Sequence, residues 1–227
     1  MRTFDRRALL TAVGSVAGTA VLAGCSGSSG NGTESGDNYA GDSATVDGLE
    51  MTLHAESIQQ SVTVTPRQAS DGGAETATGT PSTRTVESSE DRQFVVIVFE
   101  LSNPTDEPLG VPMPGGTVIS EGEIYLHKRG SSDDPADANV TQVPAEGDAP
   151  LTVGGSYEHD GTTYDRLTFV LGDYQAELPA GESAAGWILY EIGTDVATDR
   201  LKLVANLDPQ ALGKRAEWEL ADPSGSE

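Results

Sequence analysis

Along much of the chain apolar and polar residues alternate with a period of two, the spacing of strands that cover one face and wet the other. Leu49, Met51, Leu53 and Ala55 are separated by Glu50, Thr52 and His54, and Ile58, Val62 and Val64 continue the β character. At Phe94-Val95-Val96-Ile97-Val98-Phe99 the alternation gives way to an unbroken β-branched and aromatic run. Such a run predicts a central strand covered on both faces. It stops at Asn103-Pro104-Thr105-Asp106, where Asn followed by Pro suits a type I turn. Val118 to Leu126 reads as two short strands around Glu121-Gly122, and Tyr157–His159 and Thr162–Leu171 flank Asp160-Gly161, a hairpin signal. After a turn at Leu178-Pro179-Ala180-Gly181, Trp187–Ile192 and Leu201–Leu207 read as two more strands. Trp187 is expected in the core. Trp218 and Leu220 alternate with Glu217 and Glu219 in a last edge strand, where Trp218 is expected half buried, or else turned toward a partner. The stretches Pro66–Glu90 and Ser131–Pro150 carry no core pattern and are expected to be loops. About eight short strands, frequent turns and no amphipathic helix predict an all-β antiparallel fold, a β-sandwich in preference to a barrel.

The first residues have a different pattern. Basic Arg2-Thr3-Phe4-Asp5-Arg6-Arg7 precedes an uncharged run from Ala8 to Ala23, the layout of a signal peptide. The run is too short and too polar for a spanning helix, which needs roughly 20 strongly apolar residues. Arg6 and Arg7 before Leu9 and Leu10 resemble the twin-arginine export motif, with Asp5 where Ser or Thr is usual. Leu22-Ala23-Gly24-Cys25 resembles a lipobox, in which the cysteine thiol receives a lipid and becomes the new N-terminus. The alternative is an ordinary thiol behind a normal cleavage site. From Ser26 to about Thr45 the chain is Gly, Ser, Thr and Asp with almost nothing to bury, which predicts a flexible tether. The expected organisation is a twin-arginine lipoprotein signal at 1–24, a lipid-anchored tether at 25–45 and a β-sandwich domain at 46–221.

Charge narrows the partners. Asp and Glu total 36 against 13 Lys and Arg, for a net charge of −23. Loss of residues 1–24, with three Arg and one Asp, would take it to −25. Such a surface repels nucleic acid and anionic lipid. Only Lys128, Lys202 and Lys214 are lysines, and this acid-rich, lysine-poor balance resembles halophilic, haloarchaeal proteins; a mesophilic acidic surface protein is the alternative. With Cys25 the only cysteine, no intrachain disulfide can form and packing alone must hold the domain.

Three segments together resemble an immunoglobulin-like (telokin-like) family of extracellular domains in bacterial and archaeal lipoproteins of unknown function. They are Phe94–Leu109, FVVIVFELSNPTDEPL, Ser120–Tyr125, SEGEIY, and Leu178–Ile192, LPAGESAAGWILYEI; Leu49–Ala55 fits the family's first strand. The resemblance covers about residues 46–207 and departs at the long loops 66–90 and 131–150. It implies an immunoglobulin-like sandwich with a binding or scaffolding role, and brings no catalytic residues with it.

Candidate chemistry is sparse. A blue-copper site needs a thiolate and two histidines, and the one cysteine lies in the lipobox. A thiol-free copper site from His54, His127, His159, Met51 and Met113 lacks any ligand spacing, so solvated histidines and no cofactor are expected. Asp133, Asp134 and Asp137, interrupted by Pro135, do not form a calcium loop. Gly154-Gly155-Ser156 reads as a turn, not as a nucleophile elbow. Asn31-Gly32-Thr33 and Asn139-Val140-Thr141 are sequons, making Asn31 and Asn139 possible N-glycosylation sites in an exported chain. The leading expectation is a non-catalytic binding or scaffolding module, lipid-anchored at the extracellular face of the cell membrane, with an envelope or surface protein as partner and no nucleic acid. A solute- or metal-handling lipoprotein is the alternative, and a hydrolase with a dispersed site a third.

Overall fold

The computed structural model describes residues 38–66, 82–115, 122–128, 140–173, 177–196, 201–208 and 213–220. In chain order the elements are β1 (Ser43–Val46), β2 (Leu49–Gln59), β3 (Ser61–Val64), β4 (Arg84–Glu87), β5 (Arg92–Ser102), β6 (Leu109–Gly110), β7 (Met113–Pro114) and β8 (Glu123–Lys128). They continue with β9 (Val140–Gln142), β10 (Tyr157–His159), β11 (Thr162–Tyr164), α1 (Leu167–Asp173), β12 (Glu177–Leu178), β13 (Ser183–Gly193), β14 (Leu201–Asn206) and β15 (Arg215–Glu219).

The architecture is an all-β sandwich. One sheet runs β1-β2-β5-β13-β9 and the other β15-β14-β8-β7, with two-stranded pairs β3-β4, β10-β11 and β6-β12 around them. Among the described residues every pairing between these strands is antiparallel except the short β7-β8 contact. The run at 94–99 lies at the centre of the first sheet, buried throughout. Because side chains alternate across a strand, Val95, Ile97, Phe99 and Leu101 enter the main core, where they join Leu203, Ala205 and Trp218 of the second sheet. Phe94 and Val96 enter a smaller core on the opposite face with Val62, Val64, Val86, Trp187 and Leu189. The β3-β4 pair therefore covers the back of the central sheet.

Several expectations are corrected. Thr162–Leu171 is not one strand: it forms β11 and then, after Arg166, the short helix α1. Leu167 and Leu171, four residues apart, lie on one helical face and are both fully buried in the main core. The expected loop at 66–90 contains β4, whose single inward residue Val86 pairs with Val62. The expected loop at 131–150 contains β9, paired with Tyr190–Ile192. Trp218 is not half buried but fully enclosed, its ring meeting Phe99 edge-on at 5.2 Å.

Residues 38–45, expected to belong to a flexible tether, are instead fixed to both sheets. Asn38 donates from Nδ2 to the Glu217 carbonyl (2.9 Å), and its own carbonyl accepts from the Glu219 amide (2.7 Å). Just beyond it, the Gly41 amide donates to the Leu53 carbonyl (2.6 Å), and the Trp218 indole Nε1 donates to the Asp42 carbonyl (3.1 Å). The segment thus crosses from the edge of the second sheet to the first before β1 pairs with β2. Backbone hydrogen bonds order it, and these leave no trace in hydrophobic pattern.

Asn103 does more than begin a turn. It is fully buried; Nδ2 donates to the carbonyls of Glu107 (2.8 Å) and Leu178 (2.9 Å), while Oδ1 accepts from the Thr105 amide (3.0 Å) and hydroxyl (2.6 Å). The side chain ties the end of β5 to the turn that precedes β13. Asn103→Ala is expected to cost about 2 kcal/mol, because the buried Leu178 carbonyl loses its donor with no water to replace it. Urea denaturation checks this, and a midpoint unchanged from wild type would refute it.

Candidate functional site

The sequence-predicted site residues Cys25, Arg6, Arg7, Asn31 and Asn139 lie outside the described residues, as do Asp133, Asp134 and Asp137. The histidines are not brought together. His54, at a bulge in β2, pairs with Glu100 (2.6 Å); His127 is buried on β8 of the other sheet; His159 on β10 lies 3.5 Å from Asp160. Met51 is enclosed in the main core and Met113 sits on β7. Among the described residues no group of three His, Cys, Asp or Glu is placed to hold a metal ion. None of their helices is long and apolar enough to cross a membrane.

Gly154-Gly155-Ser156 is a turn, and its glycines are needed for close approach. A Cβ on Gly155, at φ +105°, would fall 2.4 Å from the Thr65 carbonyl oxygen. That proximity lets Thr65 and Ser156 exchange two backbone hydrogen bonds of 2.9 Å, which join β3 to β10. The Ser156 hydroxyl donates to the Asp165 carboxylate at 2.5 Å.

Around this join lies an open trough of about 480 Å³. Gln59, Ser61, Thr65, Thr83, Tyr157 and Glu158 line it together with Thr63 and Ser156. Its wall is backed by a stack of aromatic and cationic groups. The Tyr157 ring packs on Trp187 at 5.6 Å, tilted by 36°, and the Arg166 guanidinium lies 4.5 Å from the centre of the Trp187 ring. The Trp187 indole donates to the Gly155 carbonyl at 3.0 Å, holding the turn to the sheet.

Arg166 is the residue that sequence reasoning missed. It is almost wholly enclosed, with Nη2 donating to the Val143 carbonyl and with Nε and Nη1 lacking hydrogen-bond partners among the described residues. Loss of water holds its pKa down to about 10, so it remains a cation at neutral pH. The position follows from the topology. Strand β9 leaves the edge of β13 at Val143, whose amide donates to Leu189, and Asp165 takes over by accepting from the Trp187 amide (2.9 Å). Arg166 fills the gap between the two and satisfies the leftover Val143 carbonyl, while its planar face is offset by the Trp187 π-system. Nearby, burial pushes the Tyr190 hydroxyl pKa upward, with Glu123 adding to the shift and Arg166 opposing it; that hydroxyl donates to the Ile124 carbonyl (3.0 Å). Burial likewise raises the Glu123 carboxyl.

No family model matches the sequence, and no curated protein does. Among solved structures, the chain is similar to the yjhA protein from Bacillus subtilis, at 9% identity and a TM-score of 0.38 over 81% of this chain and 99% of that one. It is also similar to an uncharacterized β-sandwich protein from Clostridium difficile 630, at 8% identity and a TM-score of 0.35 over 82% of this chain and 96% of that one. Both likenesses are too distant to carry an argument, and the sandwich rests on the chain's own sheets.

Proposed function

We propose that this chain is a lipid-anchored extracellular module of the immunoglobulin-like lipoprotein type, non-catalytic, which binds or scaffolds at the cell surface. The supporting observation is how residues 38–42 are held. Asn38 is fixed to β15 and Gly41 to β2, so a pull on the chain before Asn38 is delivered to the edges of both sheets at once. A domain held from its N-terminus needs such an attachment, since a single peeled edge strand would open under load. The acidic surface keeps the sandwich from lying on anionic lipid.

The test is Cys25→Ser, expressed in the native host. The wild-type chain should fractionate with membranes and incorporate labelled lipid. The variant should appear in the medium or accumulate unprocessed, and retention of the variant in membranes would overturn the anchor.

A further inference from the structure

The geometry points to the trough beside β3 and β10 as a site for a neutral oligosaccharide, which would deepen the binding function proposed above and rests on it.

Most of the trough's polar side chains are uncommitted among the described residues; the exceptions are Thr63, which pairs with Thr85 (3.0 Å), and Ser156, which donates to Asp165. In the trough, the side chains of Gln59, Ser61, Thr65, Thr83, Tyr157 and Glu158 make no hydrogen bond to another described residue. They offer hydroxyls that both donate and accept, an amide that does both at separate atoms, and a carboxylate that accepts. A polyol presents the same mixture of donors and acceptors and can satisfy all three kinds of group.

The other ligand classes fit worse. An anionic sugar or phosphate would face Glu158 with no lining cation to offset it, in a chain of net charge −23. A lipid or apolar peptide would meet hydroxyls where it needs hydrocarbon. The volume of about 480 Å³ falls within the usual range for small-molecule sites, roughly 300–1,000 Å³.

The site is also pre-organised. Its floor is the doubly hydrogen-bonded Thr65–Ser156 bridge, and the Tyr157 ring is held against Trp187, itself fixed by Arg166 and Gly155. A ligand therefore orders little of the protein when it binds, which matters for sugars because water competes for every hydroxyl.

Amide NMR of the full chain in a sugar-free detergent tests the assignment. The probes are neutral tetrasaccharides of glucose, mannose, galactose and N-acetylglucosamine, with sialyllactose and spermine as charged comparators. At least one neutral probe should shift the Thr65, Ser156 and Tyr157 amides with a Kd of about 1 mM. Ser61→Arg, which fills the trough from an exposed position, and Glu158→Ala should each weaken that binding at least tenfold. Glu50→Ala, on the exposed sheet face elsewhere, should leave it unchanged. If Ser61→Arg fails to fold, Glu158→Ala decides. Three results would overturn the site: no shift with any neutral probe at about 20 mM, twenty times that Kd; shifts that neither trough variant alters; or shifts with spermine alone, which would make Glu158 a cation contact. Membrane retention of the same variants is read separately, so loss of the sugar site leaves the anchored module standing, while loss of the anchor shows in Cys25→Ser alone.

Discussion

Gly186→Ala is expected to destabilise the domain by about 4 kcal/mol and to lower its Tm by about 10 °C. A Cβ at this buried strand position would lie 2.7 Å from Leu167 Cα, 2.8 Å from the Asp165 carbonyl oxygen and 2.9 Å from the Leu167 amide nitrogen. All three are backbone atoms, so no side chain can rotate aside. The chain from 165 to 167 would have to move outward from β13. That movement breaks the Trp187–Asp165 backbone bond, draws Arg166 off the Trp187 ring and lifts Leu167 from the main core at the start of α1. Overpacking alone costs about 1–3 kcal/mol, and the lost hydrogen bond and displaced buried cation add to it. Against a total stability of roughly 5–15 kcal/mol, this is a large share. Gly172→Ala provides the comparison: it lies within α1, where an added Cβ would meet nothing within 4 Å, so it should be neutral or stabilising by up to about 1 kcal/mol. Thermal melts of both variants check the pair. A Gly186→Ala protein melting within about 2 °C of wild type would mean that Leu167 does not pack this closely on β13.

What was legible in the sequence follows from what orders each element. Phe94–Phe99 announced a doubly covered strand because both of its faces meet hydrocarbon, Val95 and Ile97 on one side and Phe94 and Val96 on the other. The hairpin at Asp160-Gly161 was readable because a type I′ turn needs positive φ at both positions, and these residues adopt +48° and +76°. Strands β4 and β9 were not readable, because each is too short to carry a period and takes its conformation from its partner. The helix α1 was hidden by composition: Leu-Thr-Phe-Val-Leu favours a strand locally, but the edge of β13 beside Gly186 is filled by a turn of helix. Trp218 misled through its glutamate neighbours. An edge strand still has one inward face, and Glu217 and Glu219 point away from the side that Trp218 occupies.

The candidate trough was less legible than the fold. Its lining comes from the end of β2, from β3, from either side of the 67–81 stretch and from β10, all in a background of Ser and Thr where no spacing marks them. Arg166 could not be told from the other basic residues, since only the departure of β9 from β13 makes an enclosed cation useful there. The resemblance of Arg6 and Arg7 to an export motif and of Cys25 to a lipobox cysteine is visible for the opposite reason. They are linear motifs that need no tertiary structure to be recognised.

Salt should have the largest effect of all, raising the Tm by about 20 °C between 0.01 M and 1 M KCl as the Debye length falls from about 30 Å to about 3 Å. Glu50, Glu87, Glu90, Asp91, Asp106, Glu107, Glu146, Asp148, Glu177 and Glu182 are all exposed. Among the described residues the Arg and Lys side chains that pair are few: Arg92 with Glu191, Lys202 and Arg215 with Glu217, and Lys214 with Asp47. A folded domain of this size has a radius of gyration of roughly 16 Å, less than the Debye length in dilute buffer, so every surface carboxylate then repels every other. Unfolding moves the charges apart and relieves that repulsion; molar salt removes it without unfolding. No disulfide among the residues after Cys25 limits the unfolded chain, so nothing offsets the loss at low ionic strength. Thermal melts of the full chain at pH 7 across this range of salt decide the matter. A Tm that is flat or falling with salt would show that surface repulsion does not govern the stability of this sandwich, and the halophilic reading of its composition would fall with it.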